Sequence, residues 1–344
     1  MGNRPAEDTA IISETELRAI VARILERNGC RSEVAGILAA NCVGAERDGS
    51  VSHGLFRVEG YIASLRSGWV DGAAVPVLED KAPGCLAVDA KNGFTQIALD
   101  LARAEFTARI RQNGIALLLI RNSHHLAALW PDVEPFAEEG LIALSMINSM
   151  TCSVPQGAKK PVFGTNPFAL AAPAGKEGML VFDMATTTTA HGDVQVARRE
   201  GHMLPPGTGV DRDGNPTGDP AKILDGGALV PFGGHKGSLI SLMVELLCAG
   251  LGGGHFSWEF DWSGHPGAAT PHTGQIFIGI DPSKAGGLPF GMRAETLVEK
   301  LREAGLSHLP GRRRHDLRAA RAGQVPVAAA RLAHLRDLAE GRAG

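Results

Sequence analysis

Apolar residues recur at helical spacing along the N-terminal part of the chain. Ser13-Glu14-Thr15-Glu16 is a capping box, and Leu17, Ile20, Val21, Ile24 and Leu25 then share one face until Gly29. Ser32 is placed to cap a second helix with Val34, Ile37, Leu38 and Ala45 on one side. After the break Arg47-Asp48-Gly49-Ser50 a third helix is expected to begin near Ser52, carry Val58, Tyr61, Ile62 and Leu65, and stop at Gly68. These stripes need a partner surface, and the pattern that follows supplies one. A helix is predicted over Ile97 to Gln112, closed by Gly114. The unbroken apolar run Ile115 to Ile120 then has the character of a buried strand. Further strands are expected at Leu141 to Ile147, Phe168 to Ala172, Leu180 to Phe182 and Gln275 to Ile280. Pro205 to Asp225 is polar and rich in Gly and Pro, so it is expected to be loop. Ser238 to Leu251 is apolar almost all round, the pattern of a buried helix.

Composition adds limits more than identity. The chain has 344 residues, long enough for two sub-domains. Its formal charge, 34 − 37 = −3, gives no reason to expect nucleic acid or an acidic membrane as partner. Five scattered cysteines without a C-x-x-C pair indicate reduced thiols. Met1 to Ala10 is polar, with no apolar core of a signal peptide, and no apolar stretch is long enough to span a bilayer, so a cytoplasmic location is expected. The basic turn Gly311-Arg312-Arg313-Arg314 lacks interleaved aromatics and is expected to be a solvated surface.

Three clusters could carry chemistry. If the third helix starts at Ser52, His53 and Arg57 are i and i+4 on one face, with Ser52 at an N-cap that favours an anion. A proton-bearing imidazole beside a guanidinium suits a 2-oxo or 2-imino acid. The same spacing also fits a simple cap, a surface histidine and an Arg57–Glu59 pair. Asp183-Met184-Ala185-Thr186 and Ala190-His191-Gly192-Asp193 follow a short strand, where ligand-facing groups often lie; a polar turn with a helix cap explains them equally. Gly233-Gly234-His235-Lys236-Gly237-Ser238 opens the apolar helix and could meet a phosphate or simply be a helix entry. No G-x-G-x-x-G follows a strand, so the Rossmann fingerprint is missing. A hydrolase triad of Ser52, His53 and Asp193 is disfavoured. Neighbouring residues of an α-helix point about 100° apart, and no G-x-S-x-G elbow is present. No H-E-x-x-H or similar spacing suggests a metal.

Taken together, Ser52-His53-Gly54-Leu55-Phe56-Arg57, Asn122-Ser123-His124-His125, Gly164-Thr165-Asn166-Pro167, Asp183-Met184-Ala185-Thr186 and Gly233-Gly234-His235-Lys236-Gly237 resemble the type-2 malate/L-lactate dehydrogenase family, in the family's order. The longer strings from His124 to Phe136, Ala190 to Gln195 and Phe256 to Trp262 look like the members that reduce Δ1-piperideine-2-carboxylate and Δ1-pyrroline-2-carboxylate. The resemblance implies an α/β fold of the α+β type. Its NADPH-binding domain would be non-Rossmann, with a largely antiparallel sheet, over residues 119–296, packed on a helical substrate and dimerisation domain from residues 1–118 and 297–344. It further implies a homodimer and NADPH as cofactor with NADH possible; no metal is expected, from the missing ligand spacing. Carried over by position, His53 looks like the proton donor, with Ser52 and Asp193 in its relay. Arg57 would hold the substrate carboxylate, and Thr165 and His191 would line the substrate pocket. The cofactor would lie along His125, Leu126, Ala127, Ala128 and Leu129, along Asp183, Met184, Ala185 and Thr186, and along His235, Lys236, Gly237 and Ser238. The polar run Thr186 to Thr189 departs from relatives, which tend to mix in apolar residues. The implied activity is reduction of a small cyclic imino acid to L-pipecolate or L-proline. Alternatives are a 2-oxo-acid dehydrogenase of the same family, or a non-catalytic ligand-binding protein. With an ordinary pKa of about 6.5, His53 is expected to carry a proton near neutrality.

Overall fold

The computed structural model describes residues 8–259 and 261–342; Phe260 and the outermost residues of the expected helical part lie outside them. The chain opens with strand β1 (Thr9–Ser13), helices α1 (Glu14–Arg27) and α2 (Ser32–Arg47), two 3-10 turns, and α3 (Val58–Arg66). The sheet layer then runs β2 (Val77–Ala82), β3 (Cys85–Phe94), α4 (Thr95–Asn113), β4 (Ile115–His124), α5 (Trp130–Glu138), β5 (Ile142–Ile147), β6 (Phe168–Pro173) and β7 (Met179–Met184). Next come α6 (His191–Glu200), the two-residue strands β8 (Gly209–Val210) and β9 (Pro216–Thr217), α7 (Pro220–Leu224), β10 (Ala228–Leu229) and α8 (His235–Glu245). The described chain finishes with β11 (His272–Ile280), α9 (Phe290–Glu303), α10 (Arg312–Arg321), β12 (Gln324–Ala328) and α11 (Ala329–Glu340).

Seven strands form one sheet in the order β2-β3-β4-β11-β5-β6-β7, and only β3 and β4 run parallel. The mixed α/β architecture with a mostly antiparallel sheet is therefore as expected. Helices α4 and α5 cover one face, where Phe106 and Phe136 meet edge to face at 5.6 Å above Val88, Leu118 and Phe277. The opposite face packs Leu119, Met146 and Ile276 against Val244 and Cys248 of α8 and its extension. A separate apolar cluster joins α1, α2 and α3 to Leu332 and Leu335 of α11, and β1 pairs antiparallel with β12. The division expected at residue 118 falls inside β4, and β2, β3 and α4 belong to the sheet layer.

Local chemistry explains most of the element boundaries. Ser13 caps α1 by accepting from the Glu16 amide at 3.1 Å. Gly114 closes α4 in the left-handed region, at φ 81°, where a side chain would be strained. Ser32, in contrast, is the first residue of α2 and caps nothing; the N-cap is Arg31, whose side chain makes no capping bond. The Pro205 to Asp225 excursion is not plain loop, since it folds into a small ladder and α7. The apolar helix does not bury its whole circumference either. Leu239, Leu242, Met243, Leu246 and Leu251 are exposed, although Val244 and Cys248 are buried against the sheet. Its last turn is a π-helix over Leu246–Leu251.

Candidate active site

The site is built on the turn between α2 and α3. Instead of the expected single helix, two 3-10 turns (Val51–His53 and Leu55–Arg57) are separated by Gly54 at φ −91°, ψ −134°. Ser52 thus caps no helix, and the anion-attracting helix start expected there is absent. The geometry also corrects the argument from α-helical spacing. Ser52 Oγ and His53 Nδ1 lie 3.0 Å apart, because neighbouring side chains in this broken turn are not held at helical intervals. The second turn is pinned from α2, where Glu46 accepts from the Leu55 amide at 3.0 Å.

Arg57 does not pair with Glu59. Glu59 is taken by Arg331, which also donates to the Leu55 carbonyl. The Nε of Arg57 is buried without a partner, an arrangement that costs free energy unless a ligand satisfies it. Its guanidinium packs over the first turn of α6. A Cβ at position 192 would lie 2.5 Å from an Arg57 nitrogen, so any larger residue there would displace the guanidinium. Burial lowers the proton affinity of Arg57, with Tyr61 and Asp193 opposing. For His53, burial first, then Arg57 and His125, push the pKa down to about 3. The ring is therefore neutral near pH 7, contrary to the expectation from its ordinary value.

One large cleft, of about 1500 Å³, is bordered by Ser52, His53 and Arg57 on this turn and by His191 and Asp193 on α6. Thr165, the segment His125 to Leu129, and Asp183, Met184 and Ala185 border it as well. Asp193 is exposed, and among the described residues no hydrogen bond joins it to Ser52 or His53. His191 is pushed down to about 4 by burial and by Arg57. His125 Nε2 lies 3.3 Å from Asp132, which also accepts from Gln275. Asp183 receives the Leu129 and Trp130 amides at 2.7 and 3.0 Å, serving the start of α5 from another strand. Burial raises its pKa, while those amides and Arg314 oppose the rise.

Two expected contacts lie elsewhere. Thr186 is fully buried and bonds the Thr165 carbonyl and Ser241, so it braces Thr165 from behind. His235, Lys236, Gly237 and Ser238 sit at the start of α8, outside the cleft wall, and Ser238 accepts from the Gln156 amide. Thr165 is steadied further by its neighbour Asn166, which donates to buried Glu245 at 2.8 Å. The sequence reading missed Arg313 and Arg314, which line the cleft and are not merely a solvated surface. The run was visible, but its direction depends on residues far away along the chain. Among the described residues there is no metal-binding cluster and no helix long and apolar enough to cross a membrane.

This fold and cleft place the chain in a known class of enzyme: it belongs to the malate/L-lactate dehydrogenase family, whose model matches residues 12–336, and is an oxidoreductase served by a nicotinamide cofactor. More narrowly, it is 59% identical over 312 residues to a Delta(1)-pyrroline-2-carboxylate/Delta(1)-piperideine-2-carboxylate reductase of Pseudomonas putida, covering 90% of this chain and 92% of the relative. A protein of the same description from Pseudomonas syringae pv. tomato is 57% identical over 334 residues, 97% of each chain. The crystal structure of delta1-piperideine-2-carboxylate reductase from Pseudomonas syringae pvar. tomato superposes with a TM-score of 0.94 at 57% identity, covering 96% of this chain and 99% of that one.

Proposed function

We propose that this chain reduces cyclic imino acids with NADPH, converting Δ1-piperideine-2-carboxylate to L-pipecolate and Δ1-pyrroline-2-carboxylate to L-proline. The observation that carries the reading is an imidazole tied at Nδ1 beside a guanidinium whose buried Nε lacks a partner, both on the wall of one cleft. The near relatives bear names of this activity over almost their whole length.

Arg57 holds the substrate carboxylate, satisfying the orphaned donor through a charge-assisted bond. That carboxylate offsets the cation beside His53, so the ring regains affinity for a proton as substrate arrives. In the protonated ring Nδ1–H donates to the Ser52 hydroxyl oxygen, which leaves Nε2–H as the proton that can be given to the substrate nitrogen. His53 then delivers a proton to the ring nitrogen, and Asp193 with Ser52 complete the path that replaces it. Thr165 and His191 border the imino ring. When bound, the nicotinamide supplies the hydride that reduces C2. The cleft exceeds the roughly 300–1,000 Å³ of a usual small-molecule pocket, as a dinucleotide plus a small acid requires. Arg313 and Arg314 provide cations for its phosphates, and they favour NADPH over NADH through the additional 2′-phosphate. His125 to Leu129 and Asp183 to Ala185 form the rest of the cofactor wall. The exposed apolar side of α8 supports a homodimer, and five unpaired cysteines support a reducing, cytoplasmic setting.

The test is NADPH oxidation measured side by side with Δ1-piperideine-2-carboxylate, Δ1-pyrroline-2-carboxylate and pyruvate. Turnover of the two imines well above that of pyruvate is expected. Faster turnover of pyruvate would move the reading to a 2-oxo-acid dehydrogenase, and no oxidation with any of the three would overturn it.

A further inference from the structure

No residue of helix α10 is fully buried, yet the helix lies against the body of the protein. What holds it is charge. Arg318 donates from Nε to fully buried Asp48 at 3.0 Å and from Nη2 to buried Glu134 at 2.9 Å. His315 Nε2 lies 3.0 Å from the other oxygen of Glu134, and Arg321 donates to the Glu46 and Arg47 carbonyls at the end of α2. The Trp130 ring, at the start of α5, lies 5.4 Å from the Arg318 guanidinium and 5.3 Å from that of Arg314. Gly49 completes the seat. A Cβ there would come within 2.8 Å of Leu317 and 3.4 Å of Arg313, so α10 rests directly on the backbone leading to Ser52 and His53.

The two arginines that face the cleft, Arg313 and Arg314, sit on the first turn of this charge-held helix. Neither makes an ion pair among the described residues; Arg314 donates only to the Val181 carbonyl. Their location is therefore set by how α10 is docked. We propose that Arg318 is a positioning residue: by joining Asp48 and Glu134 it seats α10 and so places Arg313 and Arg314 where they meet the phosphates of the cofactor. The inference rests on the cofactor reading above. Arg318 is not itself among the cleft-lining residues. Losing it leaves Glu134 with His315 alone and Asp48 with Arg47 alone, so one link between α10 and each of α2 and α5 is cut.

The experiment compares Arg318→Gln, Arg314→Gln and the double variant in the full chain. Apparent KM for NADPH, kcat at saturating NADPH, and amide exchange over α10 are read for each. In Arg318→Gln, KM should rise roughly tenfold with kcat within about twofold, and amides of α10 should exchange faster while those of α1 and the sheet do not change. Arg314→Gln should raise KM with a smaller rise in exchange over α10 than Arg318→Gln gives, since it cuts no ion pair of that helix. The double variant should be little worse than the worse single, because both act through one contact. Arg318→Lys should recover part of the loss. An unchanged KM in Arg318→Gln, a raised KM without faster exchange, or fully additive effects would each overturn the proposal. If the wild-type protein shows no fluorescence change on titration with NADPH, the cofactor reading itself has failed, a result separate from the exchange data.

Discussion

His53 and Arg57 pose opposite problems of charge, and each is solved by the other's ligand. The guanidinium has a buried, unpartnered Nε; the histidine beside it is pushed down to about 3, and in the proposed reaction it takes up its proton only as the substrate carboxylate arrives. His53→Ala should therefore abolish most of kcat, by about 10²–10⁴-fold, while NADPH binding measured by fluorescence stays near normal. Near-normal turnover would remove His53 from its role. Arg57→Lys should chiefly raise the substrate KM, since an ammonium cannot form the planar fork; an unchanged KM with full activity would exclude the carboxylate clamp. The sequence made this pair legible as a short pattern, and the accompanying strings made it persuasive. The proton affinity was not legible, because it depends on burial and on His125, brought close only by the fold. Thr186 shows a similar limit: a hydroxyl in the right string turned out to face Thr165 and Ser241, away from the cleft.

At the scale of elements, strong periodicity was a reliable guide and burial was not. Helices α1 and α4 lie within a residue or two of their predicted spans, since capping and a left-handed glycine act locally. Strands β2 and β3 carried too broken an apolar pattern to be anticipated, with Asp80, Lys81, Asp89 and Lys91 inside them. Helix α8 was legible as a helix, but its apolar circumference was mistaken for complete burial. Leu239 is 61% and Leu246 54% exposed, on a side that the sheet does not reach. Such a continuous apolar surface seeks a partner. Leu246→Glu should shift the protein toward monomer in sedimentation velocity, with folding retained because the side chain already meets solvent. A wild-type protein that is monomeric at micromolar concentration would count against the dimer altogether.

Across the whole molecule, the imidazoles make stability depend on acidity. His124 is pushed down to about 3 by burial and the adjacent His272, and His272 down to about 4 by burial and His255. In the unfolded chain both bind protons below about pH 6.5, so as pH falls from 6.5 toward 4 the unfolded state gains protons that the folded state refuses. Stability should therefore drop by about 1.4 kcal/mol per pH unit for each histidine over that window. Urea denaturation at pH 7 and pH 5 measures this, and replacing both rings with asparagine should lessen the slope, leaving the part that His53 and His191 contribute in the same way. An equally steep slope in that variant would assign the acid sensitivity to other groups. Fold class and the order of motifs were legible along the chain. The cleft's second half, with Arg313 and Arg314, was not, because the helix that carries them is held through Arg318 by Asp48 and Glu134 and lies against Trp130, all far away along the chain.

The ladder between β1 and β12 pairs Thr9 with Ala328 and Ser13 with Gln324, closing the helical cluster with partners from opposite parts of the chain. This has a kinetic consequence. A nascent chain can build α1 and α2 early and cover them in part with Tyr61, Phe94 and Ile97, but it cannot complete that cover until Leu332 and Leu335 have emerged. The helices must wait, half-wrapped, through the synthesis of the whole sheet layer. Joining the far end of α11 to β1 by a linker, and opening the chain at an exposed loop such as 212–215, would bring the two strands close along the chain and let them meet early. Such a rearranged protein should refold faster than the natural order does, with less loss to aggregation.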